Sequence, residues 1–451
     1  MYIKSFLTTI ALATSMVSAA TTTAATSTST TTTTSNMKIQ DYWKSFTSSV
    51  DPNKIQLPKI SQTTSNDPAT ECTYYEPPAE FKYDPKQWPN LWETATSNGM
   101  DKTAEFTKIY NAIDWSKKPN IPQRKKTKDG GLDFTGYDGN KDPDCWWSSS
   151  TCTKPKHTSA INADIYQCPE PNTWGLNYDD GPNCSHNAFY DFLEQKKLKA
   201  SMFYIGSNVV NWPYGAMRGM KNGHHIADHT WSHQLMTTLN DKEVLAELYY
   251  TQKAIKLVTG VTPKHWRPAF GDVDDRVRWI ATQLGLTTIL WDKDTDDWNS
   301  ETPELLNKVQ GAYDDFIKMG TNGTYATSGN IVLTHEINNT TMSLAVKNLP
   351  NIMKSYKHVV DIATCMNITY PYQETTVKFP SFDEFTKGQT ANSVGTDSSN
   401  SSSTSSSSSS TPKDNTQSAN QSSDKTSAGI QIVPTFGFAA ATLMTIFATL
   451  I

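Results

Sequence analysis

The hydrophobic period of this chain changes near Ile161, and that change restricts the fold more than any other feature. From there to about residue 356, short runs rich in β-branched and aromatic residues alternate with stretches of helical period, the signature of βα units and a parallel sheet. The pattern predicts strands near 174–178, 200–205, 225–229, 266–270, 287–292 and 330–334. Helices are predicted at about 185–197, 209–221, 241–259, 275–284, 303–319 and 341–356. In the third helix Val244, Leu248, Ile255 and Val258 recur at helical spacing, which marks a face turned to the core and nothing more. Six such units in roughly 200 residues predict a distorted or incomplete (β/α) barrel, with an open doubly wound sheet as the alternative.

Upstream, residues 37–159 are rich in Pro, Asn and Trp and show no sustained period apart from a helix near 102–112, so residues 20–160 are read as a Ser/Thr-rich start and an irregular, aromatic-rich region. Ser and Thr fill 13 of the 15 positions 21–35 and 14 of the 16 positions 396–411, tracts with too little apolar surface to offset the entropy of ordering. Residues 1–19 carry one early cation, Lys4, then an apolar stretch and a small-residue exit at Val17-Ser18-Ala19, the form of a secretory signal peptide. At the other end, small residues around Ser427, a mixed spacer and an apolar tail have the form of a glycosylphosphatidylinositol (GPI) attachment signal. Attachment is expected at Ser427, with 428–451 removed and 376–427 left as a linker after a catalytic domain at 161–375. The alternative is a tail-anchor helix, but spanning needs about 20 apolar residues, and Gly437, Thr442, Thr445 and Thr449 interrupt this tail.

Charge adds an exclusion. Lys and Arg number 40 against 45 Asp and Glu, and no basic stripe exists to neutralise phosphates, so nucleic acid is not an expected partner. Six cysteines in a chain read as secreted predict up to three disulfides. Cys145 and Cys152 close a short loop, Cys168 and Cys365 bracket the regular region, and Cys72 with Cys184 is the remainder; spacing alone does not choose among the pairings. Glycosylation sequons at Asn183, Asn322, Asn338, Asn339, Asn367, Asn400 and Asn420 fit the same compartment. Membrane contact is expected only through the lipid anchor, and the protein is expected to be a monomer.

In either architecture reacting side chains gather at the carboxyl ends of the strands. After the first strand comes Asn177-Tyr178-Asp179-Asp180-Gly181-Pro182, two adjacent carboxylates before a turn. After the third comes His229-Thr230-Trp231-Ser232-His233, in which two imidazoles four apart can face one ion, with an oxygen ligand completing three protein donors. The fourth strand ends in Arg267-Pro268-Ala269-Phe270-Gly271, the fifth leads to Asp294-Thr295-Asp296-Asp297-Trp298, and the sixth ends in Leu333-Thr334-His335. Taken singly these are a solvated turn, a hydrated acidic loop and a core histidine. Together they deliver polar groups to one rim from every strand but the second.

These five ordered motifs resemble those of the polysaccharide deacetylases of carbohydrate esterase family 4, which have the NodB-homology fold, and among them the fungal chitin deacetylases. The resemblance covers roughly 161–372. It implies hydrolysis of the N-acetyl groups of chitin or chitooligosaccharides to chitosan and acetate. It implies that Asp180, His229 and His233 hold a divalent metal, zinc first and cobalt as the alternative. Asp179 would be the general base with Arg267 as its partner, and His335 the general acid, oriented and raised in pKa by Asp297. The backbone N–H of Phe270 would meet the oxyanion, and Leu333 and Trp298 would wall the acetyl pocket. Two departures stand out: Ala269-Phe270 replace the usual Pro-Tyr, and Asn177 stands where Thr is commoner. Neither removes a proposed catalytic group. Outside the motifs, Trp212 follows the second strand and is a candidate for stacking on a sugar. Two rival readings are a catalytically silent glycan-binding wall protein, using the groove and exposed tryptophans, and a deacetylase of peptidoglycan or acetylxylan.

Overall fold

In a computed structural model, which describes residues 42–43, 47–58, 77–157 and 160–390, the expected alternation is present. The strand β1, Thr173–Gly181, is buried along almost its whole length and runs through the middle of an eight-stranded parallel sheet. The other strands are β2 (Ser201–Tyr204), β3 (His225–Asp228), β4 (His265–Trp266), β5 (Thr287–Thr288), β6 (Lys293–Asp294), β7 (Asn330–Leu333) and β8 (His358–Asp361). Their spatial order is β5-β4-β3-β2-β1-β7-β6. β8 pairs with the first half of β1, over Thr173 to Leu176, while β2 pairs with its second half from Asn177 onward. The two outer strands, β5 and β6, are neighbours in sequence, so the sheet curls back on itself as a distorted (β/α) barrel.

No ladder joins β5 to β6 among the described residues, and two devices fill that seam. Ile165 pairs with Ile289, its N–H donating to Thr288 O and its carbonyl accepting from Leu290 N–H. The Arg267 guanidinium donates from Nε to Ile289 O and from Nη2 to Leu290 O. Phe203, Ala227, Ile289, Ile331 and Val360 form a small apolar cluster with Cys168 and Cys365. A larger core lies elsewhere in the fold.

The helices include α1 (Ala104–Asn111), α2 (Asn187–Gln195), α3 (Gly206–Asn211), α4 (Pro213–Lys221), α5 (Asp241–Thr259), α6 (Asp275–Gln283), α7 (Pro303–Met319), α8 (Asn339–Ser355) and α9 (Ile362–Cys365), with further short ones at Trp147–Ser150 and Phe382–Thr386. Helix α5 has the expected bounds because its ends are chemically marked: Asn240 and Glu243 form a reciprocal capping box, and Gly260 ends it at φ 80°. Its stripe of Val244, Leu248, Ile255 and Val258 is fully buried, each side chain contributing about 1.5–3 kcal/mol.

Four expectations need correction. The single helix expected at 209–221 is two, α3 and α4, because Pro213 has no N–H to continue the first and instead opens the second. The strand expected at 266–270 stops at Trp266, since Pro268 cannot donate to a ladder and the chain turns at Ala269–Gly271. Of the strand expected at 287–292 only β5, Thr287–Thr288, pairs as a strand, because the chain then leaves β4 at the seam and pairs again only as β6, just beyond the expected end. β8 and α9 lie beyond the last element expected.

The region read as irregular is mostly turns around α1, yet Trp43, Trp88, Phe106 and Ile109 belong to the same core as the barrel helices. Trp43, Trp88 and Trp146 are buried, so they are not the exposed tryptophans that a glycan-binding wall protein would need. Cys145–Cys152 and Cys168–Cys365 are disulfides, and Cys184 is also disulfide-bonded. Its expected partner Cys72 lies outside the described residues, as do the signal peptide, both Ser/Thr tracts, Asn400, Asn420, Ser427 and the apolar tail. Among the described sequons Asn322, Asn338 and Asn367 are exposed, and Asn183 and Asn339 are half-buried.

Candidate active site

The second half of β1 sends its residues toward the rim where β3, β4 and β7 also end. Asp179 pairs with His335, just beyond β7: its N–H donates to Thr334 O and its carbonyl accepts from Glu336 N–H, so the two residues stand side by side. Asp180 then turns out of the strand at φ 75°. Gly181 follows because Glu336 lies behind it: a Cβ there would sit 1.9 Å from Glu336 Oε1.

The His229 to His233 segment is an equally constrained turn. Thr230, at φ 66°, is β-branched and disfavours that region strongly, and His233 is at φ 55°. Buried Asp228 holds the turn by accepting from Thr230 N–H at 2.8 Å, and Thr230 Oγ1 accepts from His233 N–H at 3.1 Å. Left-handed residues also occur at Phe270 and Asp296.

Two imidazoles and one carboxylate converge there. His229 Nε2 and His233 Nε2 lie 3.2 and 3.3 Å from Asp180 Oδ1. That oxygen is buried without a well-aligned hydrogen bond, and the three ligand atoms lie within 4.8 Å of one another. His229 Nδ1 is 2.8 Å from Arg267 O, which as acceptor fixes the N–H on Nδ1 and turns the Nε2 lone pair to the cluster. Burial pushes His233 down to about 4, so its imidazole is neutral, the form that ligates a metal. Burial also opposes charging of His229, but Asp179 and Asp180 outweigh it and leave its pKa raised. A negative oxygen with two nitrogens and an open side fits a divalent cation such as zinc.

Beside this cluster stand two ion pairs. Arg267 is fully buried; its Nη1 donates to Asp179 Oδ1 at 2.7 Å and to Asn177 Oδ1 at 2.6 Å, and its plane lies 4.0 Å from the Phe203 ring centre. One Asp179 oxygen is thereby fixed, and the other, Oδ2, faces His229 Nε2 at 3.7 Å. In the second pair His335 Nδ1 is 2.6 Å from Asp297 Oδ1, and Asp297 Oδ2 accepts from His335 N–H at 2.9 Å. Burial works against a charge on His335, but Asp297 prevails and raises its pKa to about 10. His335 is therefore an imidazolium at neutral pH, with Nε2 as its remaining donor.

The proposed pocket residues divide. Leu333 is buried, Trp298 is 53% exposed, and Phe270 is 61% exposed with its ring 4.4 Å from that of His233. Trp212 is half-buried at the break between α3 and α4, with no aromatic partner among the described contacts.

Several supporting residues escaped the sequence reading. Asn177 accepts from Arg267 while donating to Gly175 O and Val332 O, so it wires the arginine into β1 and β7. Its place at the head of the first motif was the available signal. Glu247, fully buried on α5, accepts from Ser232 N–H and Oγ–H at 2.8 Å. Asn208 donates to Asp180 O at 2.9 Å. Nothing in a single sequence distinguishes either from a core or helix-end polar residue.

Residues 166–289 match the polysaccharide deacetylase family. The chitin deacetylase of Amylomyces rouxii is 63% identical over 335 residues, covering 74% of this chain and 79% of the relative. Chitin deacetylase 2 of Cryptococcus neoformans var. grubii is 46% identical over 344 residues, covering 75% of this chain and 74% of the relative. Among solved structures, the chitin deacetylase of Colletotrichum lindemuthianum aligns with 24% identity and a TM-score of 0.42, over 46% of this chain and 92% of that one.

Proposed function

The chain belongs to the polysaccharide deacetylase family, alongside the chitin deacetylases of Amylomyces and Cryptococcus, and from that premise we propose that it hydrolyses the N-acetyl groups of chitin or chitooligosaccharides to chitosan and acetate with the rim residues in the roles below. The observation that carries the reading is the convergence of the Asp180–His229–His233 cluster with a carboxylate clamped by arginine and an imidazolium held by a second carboxylate.

Asp180, His229 and His233 would hold the divalent cation, with zinc the first candidate and cobalt the second. When bound, such an ion supplies electrophilic activation of the amide carbonyl and of the attacking water. Asp179 takes the proton of that water at Oδ2, since Oδ1 is occupied by Arg267. The Phe270 N–H meets the oxyanion, which needs only a backbone donor and so tolerates Phe where relatives carry Tyr. His335 Nε2 delivers its proton to the departing amine nitrogen, and Asp297 keeps that proton available up to alkaline pH. Leu333 and Trp298 bound the acetyl group.

The place of work follows from the ends of the chain. A signal peptide over 1–19 and a GPI anchor near Ser427 would put a monomeric catalytic domain on the cell surface, held out by an O-glycosylated Ser/Thr linker. No helix among the described residues is long and apolar enough to cross a membrane. Acetate release measured side by side on chitin oligomers, peptidoglycan and acetylxylan tests the substrate. Faster release from either of the other polymers would reassign it, and no release from any would favour the silent glycan-binding reading.

A further inference from the structure

Residues 88–95, in the turn-rich region before the barrel, contact the segment between the two proposed histidine ligands and reach the Asp180 segment through Asn208. We propose that this strap is a positioning element of the active site and that Trp92 is its principal residue. The proposal rests on the reading of Asp180, His229 and His233 as ligands.

Four separate ties support it. Trp92 Nε1–H donates to Asn208 Oδ1 at 2.9 Å, and Asn208 Nδ2 donates onward to Asp180 O at 2.9 Å, a two-bond relay ending on the backbone of a ligand residue. Trp92 N–H donates to Ser207 Oγ at 2.9 Å, and Ser207 Oγ–H donates to Trp231 O at 2.6 Å. Trp231 Nε1–H donates back to Asn90 O at 2.9 Å, while Trp88 stacks parallel to the Trp231 ring with centres 5.9 Å apart. Finally, Ala95 N–H donates to Glu247 Oε1 at 2.9 Å, and the same carboxylate holds Ser232. Trp231 and Ser232 are residues between the two histidines.

The need for such a strap follows from the backbone. Asp180, Thr230 and His233 all lie in the left-handed region, which β-branched Thr230 in particular disfavours, so the turn that carries the histidines is helped by being held from outside. Ser207, Trp231, Glu247 and Ala95 are fully buried, where an unmade hydrogen bond is costly, so the ties also hold each other in place. Trp92 is itself at φ 59°, a conformation that an aromatic residue keeps only when its surroundings over-determine it. None of these groups reaches the reacting atoms. Their effect is on how well three ligands are preassembled for the ion.

The test is zinc titration of metal-free protein against a chromophoric chelator, alongside thermal unfolding without metal. Trp92→Phe keeps the ring and deletes the indole donor; it should weaken zinc binding about tenfold, the lower end of what outer-sphere partners contribute. The unfolding temperature of its metal-free form should change little. Asn208→Ala should weaken binding similarly, and adding Trp92→Phe to it should cost nothing more, because the indole acts through Asn208. Zinc affinity within twofold of wild type in Trp92→Phe, or fully additive losses in the double variant, would overturn the strap while leaving the metal reading intact. A wild-type protein that binds no zinc would overturn both.

Discussion

Replacing Asp297 by Asn tests whether His335 serves as an acid because of its neighbour. In the native site both Asp297 oxygens accept, one from His335 Nδ1 and one from His335 N–H. Asn offers one acceptor and one donor, so if its oxygen keeps the backbone N–H, its amide must donate to Nδ1. The imidazole is then neutral with its proton on Nε2, a far weaker acid than imidazolium. Moving the group from 6.5 to about 10 corresponds to a bias on the order of 5 kcal/mol toward imidazolium, at about 1.4 kcal/mol per pH unit. Without Asp297, burial is opposed only by the weaker attraction of Asp180 and Asp179, and the pKa falls from its native value back toward the ordinary range. At the ordinary value of 6.5, roughly one molecule in thirty carries the proton at pH 8. The expected result is a loss of about 10²–10³ in kcat/KM at pH 8 and a much smaller deficit near pH 5.5. A cation bound at Asp180 repels the imidazolium, so the alkaline limb of the loaded wild type should lie below pH 10. The assay is acetate release from chitin tetramer between pH 5 and 9, with bound metal measured in both proteins. A variant profile parallel to that of wild type across the whole range, whatever its height, would refute the reasoning.

Three further outcomes are expected. Asp179→Asn should keep its metal and lose turnover, whereas Asp180→Asn and His229→Ala should lose stoichiometric zinc; metal analysis of the purified variants showing the reverse would exchange the two aspartates' roles. Trp212→Ala should lower activity on long chitin oligomers more than on the shortest substrate, and equal losses would remove the sugar-stacking role. Surface protein should be released by phosphatidylinositol-specific phospholipase C, while recovery of intact peptides covering 436–451 from mature protein would favour the tail anchor instead.

What was readable in the sequence, and what was not, follows from where each signal resides. The ends of α5 were legible because Asn240, Glu243 and Gly260 are local chemical marks. The break before α4 was equally local, at Pro213, but the periodicity of 209–221 overrode it. β8 was missed because its pairing with β1 joins residues far apart in sequence, and only Val359 and Val360 mark it as a strand. The rim followed the same rule. Asp179, Asp180, His229 and His233 sit in short motifs at strand ends, where chain order alone brings them together. Glu247 and Asn208 reach the site through fold contacts from 15 and 28 residues away, and their surroundings in sequence are those of ordinary helices. Trp92 is further still, 116 residues from its acceptor.

Arg267 has a consequence of another kind. One side chain both clamps Asp179 and supplies the donors for carbonyls left open where the barrel fails to close. Lysine, a single point of charge, cannot serve Asp179, Asn177, Ile289 and Leu290 together. Losing Arg267 would therefore remove one of the two devices that fill the seam as well as the partner of Asp179. The side chains of His335 and Asp180 are assigned only to the proposed reaction. A change at the arginine should thus be read in unfolding as well as in turnover, whereas a change at the other two is expected to be read in turnover and metal content.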